Sequence, residues 1–271
     1  MWHQGPEAAP FVVRKCYESW ERHNPAWAIR FLDRETLSHY VDLDVITRRH
    51  GDVVTPQVLA DLVRINLLAD RGGVWADATC LCVRPLDDWL TEYTTSGFFA
   101  FRNPGPNRFL STWFLAAGPG NVLALKWREA AVSYWRDNMF RPVKHSLLMD
   151  CLRRHLNRTT RSSQLWFSVP VRRWLRVYPY FWSHFLFARL LEKDGECRRV
   201  WEATREFSAD YPHKMQFSGL LNPLSGESKA YIDSGITPMH KLVWGIPEES
   251  CTDGCTLRYL LESAITTSPF A

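Results

Sequence analysis

Apolar positions between residues 61 and 79 change rhythm halfway, and the rest of the chain reads around that stretch. Leu62, Ile65, Leu68 and Ala69 fall at i, i+3, i+6 and i+7, which makes one stripe of a helix. Pro56 suits the first turn of that helix. Gly72 and Gly73 stop it, because glycine takes the left-handed C-terminal geometry without a Cβ clash. Val74, Trp75 and Ala76 then read as a short buried strand that ends on Asp77. A strand that delivers a carboxylate at its end is one way to place charge at a ligand site. The plain alternative is a loop aspartate that caps the next turn.

The flanking pattern predicts more elements. Residues 11–23 carry Val12, Cys16 and Trp20 on one side of a helix, and Asn24-Pro25 break it. Residues 27–32 read as a strand closed by Asp33, and residues 35–40 as helical. Residues 98–101 and 111–117 are buried strands, with a loop at 103–107 between them. Helices are predicted at 121–138, 144–156, 181–191 and 196–207. Residues 208–238 are rich in Ser, Gly and Pro without a strong period, and read as a mobile segment over the site.

Composition narrows the class. The chain has 271 residues, 46% of them hydrophobic, enough for a sizeable core in one α/β enzyme domain. Net charge is +4, which does not imply nucleic acid, and no nucleic-acid motif is present. Seven cysteines without regular spacing read as reduced thiols in a cytoplasmic enzyme. There is no apolar run long enough to span a membrane and no secretory leader at residues 1–6. Thirteen tryptophans suit a carbohydrate-handling surface, although most tryptophans serve packing. The aromatic helix at 181–191, with Arg172, Arg173 and Arg176 before it, is read as a core helix with arginines at its rim. Its rival reading is peripheral contact with a membrane face.

The central stretch also carries a resemblance. Asp61, Arg64, Leu68, Gly72, Gly73, Trp75, Asp77 and Thr79 match the pattern S-D-x-x-R-x-x-x-L-x-x-x-G-G-x-W/Y-x-D-x-D/T, with Ala60 in place of the serine. This resembles the capsular-polysaccharide-synthesis type of glycosyltransferase, which is related to glycosyltransferase family 32 and to the large glucosylating toxins. Trp2, Gln4, Gly5 and Pro10, then Ser19, Trp20, Pro25 and Trp27, and late His240-Lys241-Leu242 resemble further family segments. The strand that precedes Trp2 in the family is almost missing.

The resemblance implies an α/β fold of GT-A type, a mixed and mostly parallel sheet flanked by helices. It implies one glycosyltransferase domain over 1–271, with a donor-binding part at about 1–120 and a helical acceptor-side part and site segment at about 121–250. The implied reaction is hexosyl transfer, with retention, from a UDP-linked sugar to a hydroxyl acceptor in polysaccharide or glycoconjugate synthesis. The implied donor-binding residues are Trp2, Gln4, Asp61, Arg64, Gly73, Trp75, Asp77, Thr79, His240 and Lys241, with Asp77 also catalytic. In the family a D-x-D pair and a late histidine hold manganese or magnesium, which here implies Asp77 and His240 as metal ligands. Thr79 stands where the second acid belongs, and a hydroxyl is a weaker ligand than a carboxylate. In the rival metal-free site, Lys241 and Arg64 neutralise the diphosphate. Apart from the resemblance, Asp61 and Arg64 are a plain i, i+3 ion pair and a lone histidine is more often structural. From another class, the alternative is a catalytically inactive sugar- or nucleotide-binding relative that acts as an interaction protein.

Overall fold

The computed structural model describes residues 1–142 and 146–266. In chain order its elements are α1 (Phe11–His23), α2 (Asp44–His50), α3 (Pro56–Arg71), β1 (Gly73–Ala76), β2 (Cys80–Cys82), α4 (Leu90–Tyr93), β3 (Phe98–Gly105) and β4 (Arg108–Ala117). Then come α5 (Val122–Arg136), α6 (Leu147–Leu156), α7 (Thr160–Ser163), α8 (Trp182–Lys193), α9 (Gly195–Ala203), α10 (Asp210–Ser218), α11 (Gly226–Asp233), β5 (Met239–Lys241) and α12 (Thr256–Thr266). They form two compact units threaded through one another in sequence. The first takes Met1–Leu37, Ala76–Glu92 and the chain from Ser208 onward; the second takes Ser38–Trp75 and Tyr93–Phe207.

The first unit is built on β2 and β5, which pair antiparallel with Cys80 opposite Lys241, Leu81 opposite His240 and Cys82 opposite Met239. A strand this short cannot hold itself in place, and α1 supplies its other edge. Trp20 Nε1 donates to Cys80 O at 2.8 Å, and Cys82 N donates to Ser19 Oγ at 2.9 Å. A little further on, Leu86 N donates to Asn24 Oδ1 at 2.7 Å. Side chains thus satisfy backbone groups that an edge strand would leave bare. Under the pair lies a core of Val12, Cys16, Leu81, Met215, Leu242 and the inward face of α12, Leu257, Leu260 and Leu261.

The second unit carries the three-stranded sheet, in the order β1-β4-β3. Its interior is aromatic: Trp127, Trp135, Trp166, Trp182, Phe98 and Phe187 are wholly buried. Phe187 packs on Phe98 at 6.1 Å and on Trp127 at 5.0 Å between ring centroids. Across both units nine of the thirteen tryptophans are buried, so the excess chiefly serves packing.

Several expectations change. The sheets are small, and β2 with β5 and β3 with β4 pair antiparallel; a mostly parallel sheet is not formed among the described residues. Strands β3 and β4 extend into the expected loop at 103–107 until only Pro106 and Asn107 join them. A two-residue connection permits only an antiparallel pair, since a parallel one needs a long crossover. The extra length is taken up by register shifts between Ala100 and Gly105, where Asn103 has a φ of 55°. Residues 27–32 form no strand. They touch the N-terminal segment through Trp2 N to Leu32 O and Arg34 N to His3 O, too few bonds for a ladder.

The expected helix at 35–40 shrinks to one 3₁₀ turn, Leu37–His39, where an Asp33 turn precedes it. Residues 208–238 hold α10 and α11, with Met215 and Ile232 buried, where a mobile segment was expected. Ser225 accepts from Ser228 N and caps α11, so its serines start a helix rather than dissolve one. Helix α6 begins at Leu147 behind a Ser146 cap, and the expected start at Lys144 lies outside the described residues. All seven cysteines are free thiols.

The stop at the end of α3 is a sharp constraint. Gly72 has a φ of +68°, and a Cβ there would stand 2.7 Å from Pro119 N and 2.9 Å from Ala117 O, both backbone. Gly73 has a φ of +94° but open space around it. We expect Gly73→Ala to lose about 1–3 kcal/mol to backbone strain alone. Gly72→Ala should lose more, because backbone must move as well. Urea unfolding of the two variants checks the order, and equal losses would refute the crowding at Gly72.

Candidate functional site

In the first unit, the turn after Asp77 returns as Cys80 N donates to Asp77 O at 2.9 Å. The β2–β5 pairing continues one step past the strands, with Leu242 N donating to Thr79 O at 2.8 Å. This register brings Lys241 beside Thr79, and Lys241 Nζ donates to Thr79 Oγ1. Among the described residues Lys241 has no carboxylate partner. Thr79 and Lys241 line an open cleft of about 460 Å³, together with His213, Gln216, Trp244 and the turn at Gly245. Its size is that of a small-molecule site. The Trp244 indole, 58% exposed, packs at 5.7 Å on Trp2. Gln4 is exposed on the same N-terminal segment.

His240 stands apart from these groups. Successive residues of a strand point to opposite faces, and its ring is buried while Lys241 is not. The imidazole lies 6.3 Å from the Tyr231 ring, and its Nδ1 has no hydrogen-bond partner among the described residues. Burial holds its pKa down at about 4, so it is a neutral core group near pH 7. Magnesium and manganese prefer oxygen ligands, and the Lys241 ammonium already sits on Thr79. The His240 ring faces the core, and Lys241 lines the cleft. Among the described residues there is also no group of three or more His, Cys, Asp or Glu side chains arranged to hold a metal.

In the second unit, three of the expected residues meet. Arg64 Nε lies 3.5 Å from Asp61 Oδ1, and its guanidinium stands 5.2 Å from the Trp75 ring centroid. Arg64 also donates to Ala60 O at 3.1 Å and to Thr112 O at 2.5 Å. Asp61 Oδ2 accepts from Ser183 Oγ at 2.8 Å. Beside them His184, whose ring nitrogen lies 3.4 Å from Thr112 Oγ1, is held well below the usual histidine range by burial, then by Arg108 and Arg64. Ser183 and His184 were passed over in the sequence because both sit in an aromatic run that reads as core. Trp244 was visible only as the end of a late motif.

Gly73 lies at the start of β1, and its left-handed φ lets the chain turn from α3 into that strand. A larger cavity, about 720 Å³, lies elsewhere in the second unit among Arg102, Gln164 and Trp201. It holds none of the motif residues, so chemistry rather than volume selects the cleft at Lys241 as the candidate site.

Comparison with known proteins agrees with the motif. The family described as capsular polysaccharide synthesis protein matches residues 1–169. The chain belongs to that family. O-glycosyltransferase braB of Annulohypoxylon truncatum is 31% identical over a 153-residue alignment that covers 49% of this chain and 36% of that protein. Glycosyltransferase afumC of Aspergillus fumigatus is 28% identical over 153 residues, 49% of this chain and 39% of that protein. O-glycosyltransferase PaGT of Phomopsis amygdali is 26% identical over 155 residues, 50% and 38% of the two chains. The chain thus spans less than two-fifths of the length of these curated relatives. No solved structure is a significant match.

Two measurements test these environments. Arg64→Ala leaves the Asp61 carboxylate buried beside Ser183 without its cation, and should cost about 3–5 kcal/mol in chemical denaturation. A loss under about 1 kcal/mol, the value of an exposed pair, would contradict the burial.

The His240 imidazole titrates near 6.5 when unfolded and near 4 when folded. Between those values the unfolded chain binds the extra proton, so stability is complete above pH 6.5 and falls as pH drops toward 4, by up to about 1.4 kcal/mol per unit. His240→Asn should flatten that slope relative to wild type. An unchanged slope would show the ring to be solvated.

Proposed function

We propose that this chain is the glycosyltransferase domain of a capsular-type enzyme, moving a sugar from a UDP-linked donor to a hydroxyl acceptor with retention at the anomeric carbon. The observation that carries this reading is Lys241, a cation without a carboxylate partner among the described residues, beside Thr79 in the cleft. Family membership and the glycosyltransferase names of the relatives support it. Breaking the anomeric bond puts negative charge on a departing diphosphate, and a positioned cation that meets that charge lowers the barrier. Lys241 offers the charge-assisted hydrogen bond, and Thr79 Oγ1 holds its ammonium in place before the donor arrives. Asp77, two residues before Thr79, is the motif carboxylate, and we assign it to the reacting sugar.

The test is UDP release from a panel of UDP-sugars with a hydroxyl acceptor. Lys241→Ala and Asp77→Ala should each lose about 10²–10³ in rate while keeping the wild-type circular dichroism spectrum. EDTA should leave the rate unchanged. A proton NMR spectrum of the product reads the anomeric configuration. Native turnover in folded Lys241→Ala would reject the role of the lysine, and recovery of EDTA-treated enzyme by manganese would reject the metal-free reading. Thr79 in the place of an acid favours a second reading, a nucleotide-binding relative without activity. That protein would bind UDP in calorimetry and release none from any donor.

A further inference from the structure

The second unit presents a surface that its own packing does not use. Helices α6 and α7 and the two short helical turns that follow, Gln164–Phe167 and Pro170–Leu175, pack on one another in sequence. Their inward residues are conventional: Met149, Trp166, Phe167 and Val171 are buried. Their outward residues are not. Leu147 is 92% exposed, Trp174 75%, and Leu148, Leu165 and Val169 each about half. Large apolar groups this exposed, and this close in sequence, mark an interaction surface rather than ordinary scatter.

The same stretch is strongly basic. Residues 146–181 hold seven arginines against one acid, Asp150, a net +6 where the whole chain carries +4. Arg154, Arg158, Arg161 and Arg173 are exposed. The loop bearing Trp174 is also fixed. Arg176, with a left-handed φ of 57°, donates from Nε to Met139 O at 2.6 Å, and Arg141 N donates to Arg176 O at 2.8 Å. Arg172 Nε holds Phe167 O at 2.8 Å. These bonds fix the chain on either side of Trp174, whose indole stands exposed.

We propose that this face of the second unit docks on an anionic lipid surface, with Trp174 and the leucines entering the headgroup boundary and the arginines meeting lipid phosphates. Both halves of the chemistry favour lipid. Arginine forks fit phosphate oxygens, and exposed leucine and tryptophan gain only where an apolar phase lies beneath the phosphates. A nucleic acid offers the phosphates without that phase. No helix among the described residues is long and apolar enough to cross a membrane, so the contact is peripheral. The core helix α8, from which a membrane contact was one sequence reading, is not the contacting element, since Phe185 and Phe187 are wholly buried.

Co-sedimentation of the whole chain with vesicles tests this. Binding is expected to phosphatidylcholine vesicles that contain phosphatidylserine, to fall with added salt, and to be weak on phosphatidylcholine alone. The double variant Arg154→Glu, Arg173→Glu should weaken binding by more than about tenfold, since each basic residue near an anionic surface contributes severalfold. Trp174→Ser should also weaken it. All these side chains are exposed, so melting temperatures and UDP-sugar turnover should stay at wild-type values. No binding to anionic vesicles, binding indifferent to both variants, or tighter binding to an RNA oligonucleotide than to the vesicles would overturn the proposal.

Discussion

A handful of backbone hydrogen bonds between two three-residue strands decides where the candidate chemistry stands. Strand β2 follows Thr79 at once, and β5 ends on Lys241, some 160 residues later in the chain. Only the antiparallel register of that pair sets the ammonium beside the hydroxyl. A slip of one residue would exchange His240 and Lys241 between a buried face and the cleft, at the cost of burying a charge. The register is protected on its other side by α1. Ser19 and Trp20 bond the outer backbone of β2, and Asn24 fixes the chain just beyond it. Ser19, a polar residue on the buried face of α1 that carries Cys16 and Val12, is thereby explained.

The two halves of the motif do different physical work. Asp61, Arg64 and Trp75 are knitted to Ser183 and Thr112 inside the second unit, and two of the Arg64 donors go to protein carbonyls. Thr79 and Lys241 line the open cleft of the first unit. A segment that reads as one functional signature thus holds a buried polar bracket and, at its end, a hydroxyl that meets the Lys241 ammonium at the cleft. Buried polar clusters of this kind are costly when broken, which keeps them in place whether or not they touch a ligand.

Local structure was legible wherever period and punctuation agreed. Helix α1, the body of α3, the Gly72 stop and the strand at Trp75 all follow from apolar spacing and glycine. The strand cores at 98–101 and 111–117 were likewise readable. Their direction was not, because two apolar runs look the same parallel or antiparallel until the loop length is known. Residues 208–238 misled for a different reason. Serine, glycine and proline suggest a loop on average, yet Ser225 is a helix cap and Pro212 sits in the first turn of α10. The burial of His240 was hidden from the sequence altogether. A three-residue strand carries no usable period, so nothing showed which of His240 and Lys241 faces outward.

Interleaved threading has a consequence for synthesis. The second unit has its whole sequence once Phe207 has been added. By then the first unit holds only two of its three parts, and β2 has no partner strand. While the ribosome extends the chain toward β5, the apolar edge of Cys80, Leu81 and Cys82 waits unpaired, and such edges invite association with other chains. The nascent protein therefore passes through a stage in which one unit is complete and the other is an open template. The α1 side chains that border β2 are already made at that stage, and shield one of its two edges until the rest arrives.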